Sequence, residues 1–232
     1  MKYKRVLLKL SGESFAKEDG TGIDFDKMLQ IARTIKECLT DELELGIVVG
    51  GGNFWRGRTN TAMNSCTSDH IGMLATTMNA LALKDALLQE GVDSRVQTSI
   101  EMNQIAEFYI RDRALKHLEK KRVVIFGCGT GSPFFSTDTA AALRAAEINA
   151  DIILKATTVD YIYTKDPRKY TDFEVIKETS HLRVIKDKLR VMDLTAISLC
   201  MDNNIPIRIF NLNQLENLKK ILIGEEIGTL IK

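Results

Sequence analysis

Residues 122–138 of the chain read Arg-Val-Val-Ile-Phe-Gly-Cys-Gly-Thr-Gly-Ser-Pro-Phe-Phe-Ser-Thr-Asp. The apolar run in Arg122–Phe126 has no polar alternate face, which indicates a strand that is buried on both sides. A glycine-rich loop follows, and the alanine-rich segment Thr137–Ile148 then has the pattern of a helix. A buried strand, a loop and a helix in this order form the repeating unit of a parallel sheet that is covered by helices.

The same alternation of short apolar runs and helical patterns extends along the rest of the chain. Further strands are predicted at Arg5–Leu10, Leu45–Val49, Val92–Thr98, Asp151–Leu154, Pro206–Phe210 and Gly228–Ile231. Helices are predicted at Asp24–Leu43, Ser68–Glu90, Met192–Asp202 and Gln214–Leu222, with a mixed helical pattern up to Leu118. We therefore predict an α/β fold, a three-layer α/β/α sandwich with a mostly parallel central sheet, that forms a single domain over residues 1–232.

The composition argues against several classes of protein. Lys and Arg total 32 against 31 for Asp and Glu, so the basic face that a nucleic-acid-binding protein uses is not expected. No apolar run approaches the ~18–20 residues that cross a bilayer, and Lys9 interrupts the N-terminal run, so we predict neither a membrane span nor a signal peptide. The four cysteines are far apart, and His70, His117 and His181 are isolated, which argues against disulfides and zinc. We expect a cytoplasmic protein with no metal site of its own.

Three loops that follow predicted strands are unusually rich in glycine. They are Lys9–Gly12, Gly50–Gly57 and Gly127–Asp138. In a parallel sheet such loops meet at the carboxyl edge, where ligands bind. Glycine lets backbone amides turn inward to hold phosphate oxygens, and the helix that follows adds its positive end. One such loop is also compatible with a tight turn, but three at the same edge predict a site for several anionic groups.

Common phosphate-binding and hydrolytic motifs are missing from the sequence. The dipeptide Gly-Lys does not occur, which excludes a P-loop, and the run from Gly127 to Ser132 lacks the third glycine of a dinucleotide-binding loop. There is no His-Arg-Asp or Asp-Phe-Gly of the protein kinases and no Gly-x-Ser-x-Gly nucleophile elbow. The glycine loops therefore belong to another kind of phosphate site.

The segments at the predicted sheet edge are similar to those of a known superfamily. Lys-Leu-Ser-Gly at Lys9–Gly12, Gly-Gly-Gly-Asn-x-x-Arg-Gly at Gly50–Gly57 and Thr-Gly-x-Pro-Phe-Phe-x-Thr-Asp at Thr130–Asp138 resemble the amino acid kinase superfamily and, within it, the bacterial uridylate (UMP) kinases. Three further stretches share the resemblance, namely Gly72–Thr76, Leu154–Asp160 and Val191–Ala196. The resemblance covers essentially the whole chain. It implies the amino acid kinase fold and transfer of the γ-phosphoryl group of ATP to UMP, which yields UDP and ADP in pyrimidine nucleotide biosynthesis.

The implied reaction fits the lack of a nucleophile or base motif. The second pKa of a phosphate monoester is about 6, so the acceptor is already an anion near pH 7 and no side chain has to deprotonate it. The difficulty lies in bringing two polyanions together, because each unit-charge pair at ~4 Å repels by about 4 kcal/mol at an effective dielectric constant of ~20. Catalysis is therefore expected to depend on positive charge and positioning.

Three residues are predicted to act in catalysis. Lys9 ends a strand of leucines, so its ammonium is expected to project from the sheet edge onto the transferring phosphoryl group. The alternative for Lys9 is a solvated edge lysine such as Lys2. Asp138 lies at a predicted helix start, where it would orient Lys9 or an ion, or only interact with the helix dipole. Lys155, at the end of another buried strand, is the second candidate cation.

The resemblance also implies which residues bind the two nucleotides. ATP is expected at Lys9, Leu10, Ser11, Gly12, Gly52 and Arg56, with Thr157, Tyr163 and Asp166 at its adenine and ribose. UMP is expected at Gly51, Asp69, Thr130, Gly131, Ser132, Pro133, Phe134, Phe135, Ser136 and Thr137. Simpler roles stay open for some of them: helix capping for Asp69, core filling for Phe134 and Phe135, and a surface turn for Asp166.

Further family properties are implied that the composition does not show. Mg²⁺ is expected to arrive with ATP, so that few protein ligands are needed. A GTP-responsive loop corresponds by position to Lys17, Glu18, Asp19, Gly20, Thr21 and Gly22. UTP inhibition and a homohexamer are likewise family implications. The sequence departs from the family pattern at Trp55, where a smaller aromatic residue is usual, and at Tyr161, where glycine is common.

Two other functions stay open on the sequence alone. A related kinase with a carboxylate or carbamate acceptor, such as acetylglutamate or carbamate, would have no aromatic base for Pro133–Phe135 to receive. A nucleotide-binding storage or regulatory protein would bind ATP without turnover, and the pairing of Lys9 with Asp138 argues against it. The sequence does not decide the tolerance of CMP or dUMP as acceptor.

Overall fold

A mostly parallel sheet forms the centre of the structure, a computed structural model that describes residues 1–57, 62–165, 170–189, 191–212, 214 and 216–232. Its strands are β1 (Arg5–Leu10), β2 (Glu44–Val49), β3 (Ser94–Thr98), β4 (Glu107–Phe108), β5 (Val123–Gly127), β6 (Ile152–Thr157), β7 (Ile162–Tyr163), β8 (Val175–Ile176), β9 (Glu178–Thr179), β10 (Ile207–Asn211) and β11 (Thr229–Ile231). Nine of them lie side by side in the order β4-β3-β5-β2-β1-β6-β10-β11-β9. Within this sheet β10 and β11 are antiparallel and the other neighbours are parallel, whereas β7 and β8 form a separate antiparallel pair.

Helices cover both faces of this sheet. They are α1 (Phe25–Cys38), α2 (Ser65–Gln89), α3 (Arg111–Glu119), α4 (Thr137–Glu147), α5 (His181–Lys186), α6 (Leu194–Asp202) and α7 (Glu216–Ile223). α1, α2 and α7 enclose one hydrophobic core, and α3, α4, α5 and α6 enclose the other. Side chains alternate along β1, so that Leu8 lies in the first core and Leu7 in the second. The predicted α/β/α sandwich is confirmed.

Some predicted element bounds differ from the observed ones. The helix predicted at Asp24–Leu43 ends at Cys38, because Leu39 takes extended backbone dihedrals (φ −70°, ψ 133°). The strand predicted at Asp151–Leu154 continues to Thr157, so Lys155 lies inside β6 rather than at its end. Periodicity did not predict β4, β7, β8, β9 or α5, since two-residue strands and a six-residue helix are too short to show a period.

Among the described residues, α2 is the one helix that is long and apolar enough to cross a membrane by length and composition. Half of its most apolar 18-residue stretch is nevertheless buried inside the protein. Its inward residues, which include Ala80, Leu83 and Leu87, belong to the first core. The apolar character of α2 is therefore accounted for, in large part, by packing against the sheet and α1.

Candidate active site

Two lysines stand side by side at the centre of the sheet. β1 and β6 are parallel neighbours, and their register places Lys9 opposite Lys155. Alternation along each strand puts both lysines on the same face as Leu7 and Ile153, the face that α4 covers. Two ammonium groups on directly opposed residues of neighbouring strands repel each other, so the pair requires an anion nearby.

Asp138 supplies that negative charge. Its Oδ1 lies 2.9 Å from Lys9 Nζ, and its Oδ2 accepts from Lys155 Nζ at 2.7 Å. Lys155 Nζ also donates to the backbone oxygen of Val191. The three side chains are largely buried, with 9% (Lys9), 17% (Asp138) and 13% (Lys155) of their surface exposed. The structure thus brings the three predicted catalytic residues together in what we call the Lys–Asp–Lys cluster.

The start of α4 places Asp138 in this cluster. Ser136 is the N-cap residue, and its Oγ accepts hydrogen bonds from the backbone N–H of Asp138 at 3.0 Å and of Thr139 at 3.1 Å. Asp138 therefore lies in the first turn, where the helix dipole favours a carboxylate. The two interpretations of Asp138, as a partner of the helix dipole and as a partner of Lys9, are compatible in the structure.

Burial and charge act in opposite directions on the cluster. Burial raises the pKa of Asp138, but the charges of Lys9 and Lys155 outweigh this and hold that pKa below its ordinary value of 3.8. Burial lowers the pKa of Lys155 from 10.5, an effect that Asp138 opposes and the charge of Lys9 reinforces. With two ammonium groups and one carboxylate, the cluster carries one surplus positive charge, which is available to an anionic ligand.

A cavity of about 520 Å³ opens beside the cluster at the ends of β1 and β6. It is lined by Lys9, Ser11, Glu13, Ser14, Lys27, Gln30, Ile31, Lys155, Ala156, Thr157, Thr158 and Leu212. Lys9, Ser11 and Thr157 of this lining were predicted to bind ATP. The contribution of α1 was not predicted, because the amphipathic pattern of that helix already explains Lys27 and Gln30 as polar and Ile31 as core positions. We call this space the donor cavity.

Two other residues predicted to contact ATP lie in the first glycine loop. Leu10 is fully buried in the first core, so its side chain does not line the donor cavity. A Cβ on Gly12 would lie 2.6 Å from the backbone N of Gly52 and 2.9 Å from the backbone O of Gly50. The loops after β1 and β2 therefore pack backbone against backbone, and a glycine is required at this contact.

Gly52 was predicted to bind ATP, but it is absent from the lining of the donor cavity and lines the second cavity, described below. The remaining residues predicted to bind ATP are more peripheral. Arg56 Nη2 donates to Glu13 Oε1 at 2.6 Å, which brings the second glycine loop over the 3-10 helix Gly12–Phe15. Tyr163 in β7 packs edge-on against Phe173, with 5.3 Å between ring centroids. Asp166 lies outside the described residues, so its predicted role stays a prediction.

A second cavity, of about 250 Å³, lies between the loops after β2 and β5. It is lined by Gly51, Gly52, Trp55, Gly57, Ser68, Asp69, Gly72, Met73, Thr76, Gly129, Thr130, Phe135, Ser136 and Thr137. Of the residues predicted to bind UMP, Gly51, Asp69, Thr130, Phe135, Ser136 and Thr137 are in this lining. Gly131, Ser132, Pro133 and Phe134 complete the same loop beside it. We call this space the acceptor cavity and residues 128–137 the acceptor loop.

Asp69 holds the acceptor loop from the opposite wall. Its Oδ2 accepts from the backbone N–H of Phe134 at 2.7 Å, across 65 positions of sequence. Phe134 has a left-handed backbone (φ 70°), and 74% of its surface is exposed, so it does not fill the core. The alternative of core filling is therefore wrong for Phe134, and Asp69 contacts the loop in addition to lining the cavity.

The departure from the family pattern at Trp55 is accommodated in this wall. The indole Nε1 of Trp55 donates to Ser68 Oγ at 2.9 Å, which ties the second glycine loop to the start of α2.

The segment from Lys17 to Gly22 lies farther out, and Gly22 N–H donates to the backbone O of Asn53 at 2.9 Å. This predicted effector loop is thus anchored to the second glycine loop.

The sequence alone assigns no role to Asp193, although the stretch Val191–Ala196 around it shares the family resemblance. Asp193 accepts from the hydroxyl of Ser136, from Thr139 Oγ1 at 2.9 Å and from the backbone N–H of Ala196 at 2.8 Å. It therefore caps α6 and fixes the start of α4 at once. The helix predicted at Met192–Asp202 begins at Leu194 in the structure, with Asp193 as its N-cap residue rather than inside it. The contact of Asp193 with Ser136 depends on the tertiary fold.

The arrangement is suited to the transfer of a group between two anions. Two cavities lie at a sheet edge that carries glycine loops, on either side of a buried, positively charged cluster. Lys9 and Lys155 line the donor cavity, and Ser136 and Thr137, which precede Asp138, line the acceptor cavity. Charge and positioning are the means of catalysis that phosphoryl transfer requires. Fold and site together define a phosphotransferase of the α/β/α class.

Comparison with known proteins identifies the family. The chain belongs to the amino acid kinase family, whose sequence pattern matches residues 4–211. Its structure is similar to that of UMP kinase from Bacillus anthracis, with a TM-score of 0.96 and 38% sequence identity over 99% of this chain and 96% of the other. UMP kinase from Ureaplasma parvum is 32% identical over the full length of both chains (TM-score 0.92). Uridylate kinase from Archaeoglobus fulgidus is 26% identical over 98% of this chain and 99% of the other (TM-score 0.72).

Proposed function

We propose that this chain transfers the γ-phosphoryl group of ATP to UMP and yields UDP and ADP, a step of pyrimidine nucleotide biosynthesis. The observation that carries the proposal is the Lys–Asp–Lys cluster, which lies beside both the donor and the acceptor cavity. Similarity over nearly the whole chain to two bacterial UMP kinases supports the choice of acceptor.

The cluster acts through its charge. In phosphoryl transfer, negative charge is spread over the three oxygens of the moving group while attacking and leaving oxygens stay nearly in line. Lys9 and Lys155 offset this charge, and Asp138 fixes both ammonium groups with one oxygen each. The phosphate of UMP is the nucleophile and is already ionised near pH 7, so no general base is required.

The donor cavity is proposed to hold ATP. Ser11 and Gly12 present backbone amides of the first glycine loop to its phosphates, and Arg56 suits phosphate through its planar fork of donors. Thr157 and Tyr163 are proposed to contact the adenine and ribose, together with Asp166. The size of the donor cavity, about 520 Å³, is in the range of pockets for ligands of this class.

The acceptor cavity is proposed to hold UMP. Its phosphate would lie toward Thr137 and the cluster, and Asp69 would accept from the ribose hydroxyls. Phe135 lines the cavity and offers an aromatic face to the uracil ring. This orientation directs the phosphate of the acceptor toward the γ-phosphoryl group in the neighbouring cavity.

Mg²⁺ is proposed to enter with the phosphates of ATP. Among the described residues, no group of three or more His, Cys, Asp or Glu side chains is placed to hold a metal ion. Asp138 is also paired with two lysines. A cage built from protein ligands therefore does not fit these residues, whereas an ion carried by the substrate needs few protein contacts.

We also propose that the protein is cytoplasmic, that it self-associates, with a homohexamer as the implied assembly, and that GTP and UTP are effectors. Self-association is supported by the outward face of α2, where Leu74 and Met78 are 53% and 44% exposed one helical turn apart. The loop from Lys17 to Gly22 is the proposed GTP-responsive segment.

A coupled assay of ADP release tests the proposed function. The intact protein is assayed with ATP and Mg²⁺ and with UMP, CMP, dUMP, acetylglutamate or carbamate as acceptor, with and without GTP. We expect UMP to give the highest kcat/KM, and Lys9→Met to abolish most of that rate while the exposed control Lys4→Met keeps it. A preference for acetylglutamate or carbamate would favour the related kinase reaction. ATP binding without turnover on any acceptor would favour a storage or regulatory protein.

A further inference from the structure

Arg144 is a charged side chain buried between α4 and the sheet. It is 4% exposed, and its guanidinium carbon lies 3.7 Å from the centre of the Tyr109 ring. Its Nη1 pairs with Glu147, and its Nη2 donates to Ser99 Oγ at 2.8 Å. The hydroxyl of Tyr109 donates to the same Glu147 carboxylate at 2.7 Å. These contacts hold the guanidinium in one orientation.

One of these contacts leads to the acceptor loop. Ser99 accepts from Arg144 and donates its own hydroxyl to the backbone oxygen of Gly129 at 2.7 Å. The loop also rests directly on Ser99, because a Cβ on Gly131 would lie 3.0 Å from both the Cβ and the backbone oxygen of Ser99. Gly129 and Gly131 both have positive φ values, 56° and 84°, so the loop bends at the two places where Ser99 touches it.

A buried ion pair is weak support for stability, because apolar side chains of similar volume often stabilise a core equally well or better. The burial of Arg144 therefore needs an explanation other than stability. Arg144 provides what an apolar side chain cannot, namely a directed donor that fixes the Ser99 hydroxyl toward Gly129. Neither Arg144 nor Ser99 is in the lining of the donor or the acceptor cavity, but Gly129, to which Ser99 donates, lines the acceptor cavity. The effect of Arg144 is therefore directed at the acceptor side.

We propose that Arg144 is a positioning residue for the acceptor nucleotide and that it acts through Ser99 on the Gly129 carbonyl of the acceptor loop. The proposal rests on the proposed function, since it takes the acceptor loop as the binding site of UMP. When the hydrogen bond from Arg144 to Ser99 or that from Ser99 to Gly129 is removed, the carbonyl of Gly129 and the amides after it are no longer held in one direction. Binding of UMP then weakens, while binding of ATP is retained.

The test compares KM values for the two substrates in the intact enzyme. Ser99→Ala removes the relaying hydroxyl, and we expect it to raise KM for UMP about 3- to 10-fold, the range of one hydrogen bond, with less than about a 2-fold change in KM for ATP. Arg144→Met is expected to have a larger effect in the same direction, and Arg144→Lys to restore part of it, because lysine keeps the charge and one donor. Arg111→Met is the matched control, since Arg111 is more exposed and donates to the backbone oxygen of Glu147 without reaching Ser99.

Thermal unfolding separates positioning from a purely structural role. If Arg144→Met fails to fold, Ser99→Ala still tests the proposal, with UMP binding measured by calorimetry. An equal rise in both KM values, or a lower Tm with an unchanged KM for UMP, would overturn the proposal. Absence of UMP-dependent turnover in the wild-type protein would instead contradict the proposed function, so the two failures are distinguishable.

Discussion

Lys9 and Lys155 share one carboxylate, so the charge of the cluster depends on each of them. Removing Lys9 leaves Asp138 paired with Lys155 and no surplus positive charge at the proposed position of the transferring group. We expect Lys9→Met to lower kcat by about 10²–10³, which corresponds to ~3–4 kcal/mol of transition-state stabilisation. Steady-state ADP release at saturating ATP and UMP measures this. Near-full turnover in the variant, with Lys4→Met as control, would contradict the role of Lys9.

Asp138 should also make stability dependent on pH. Its pKa in the folded protein lies below 3.8, so its contribution to the free energy of unfolding is present above the pKa of the unfolded chain and is lost as pH falls through the folded value. Asp138→Asn leaves two buried ammonium groups without their counter-charge, and we expect a loss of about 3–5 kcal/mol at pH 7. Urea unfolding at pH 7 and at lower pH measures the change.

The difference between wild type and Asp138→Asn should shrink as pH falls below about 4, because the carboxyl of the unfolded wild-type chain is protonated first. The folded protein keeps this carboxyl ionised until pH falls through its own, lower pKa, where the difference is lost. Asp112→Asn serves as the control, since Asp112 is 79% exposed and should change stability by less than about 0.5 kcal/mol at either pH. A difference that stays constant with pH would show that Asp138 acts by packing rather than by charge.

The positions of Lys9 and Asp138 were predictable because each has a local signal: a lysine near the end of an apolar strand, and a carboxylate directly after a Ser-Thr pair. The geometry that brings them together was not predictable from the sequence. The position of Lys155 beside Lys9 depends on the register of β1 and β6, strands that are nearly 150 positions apart. Arg144 and Asp193 were likewise missed, because their hydrogen bonds to Ser99 and Ser136 span 45 and 57 positions.

The first two glycine loops form one packed unit, and Gly12 is its tightest point. A methyl group there would meet the backbone of Gly52 and Gly50 at under 3 Å, and backbone atoms cannot rotate aside as a side chain can. We expect Gly12→Ala to lower the free energy of unfolding by about 1–3 kcal/mol, as overpacking does, and to raise KM for ATP. Chemical denaturation and steady-state kinetics measure the two effects.

Gly72→Ala in α2 is the matched control for this substitution. The nearest atom to a methyl group at Gly72 lies 3.9 Å away, on Trp55, so the methyl group fits. Alanine is preferred over glycine within a helix by about 0.8–1.0 kcal/mol, and we expect this variant to be slightly more stable than the wild type. Equal destabilisation by the two substitutions would contradict the close approach of the loops.

Long elements were predictable from the sequence, and short ones were not. α1 and α4 show clear patterns because their buried residues recur over two or more helical turns, and β5 is recognisable as a continuous apolar run with no polar face. β9 owes its existence to pairing with β11, and β4 to pairing with β3, so that neighbours rather than their own residues define them. The loops between them were recognised by glycine, yet the contact of Asp69 with Phe134 depends on how α2 and β5 pack.

The outward face of α2 bears on the state of the whole protein in solution. If Leu74 and Met78 lie in a contact between copies, the combined change Leu74→Glu and Met78→Glu should convert the assembly into smaller species. Sedimentation velocity measures the mass, and Leu182→Glu on α5 is the control because Leu182 is 64% exposed on the opposite side of the sheet. An unchanged mass would exclude this face of α2 as an essential contact.

The place of β1 in the sheet has a consequence for biosynthesis. β1 takes one neighbour from residues 44–49 and the other from residues 152–157, so one edge stays unpaired until about two thirds of the chain has left the ribosome. An open edge in a growing polypeptide invites pairing with other chains, so a chaperone that shields this edge should improve the yield. Lys9 gains its neighbour Lys155 at that same late stage, so the proposed catalytic cluster is incomplete before then.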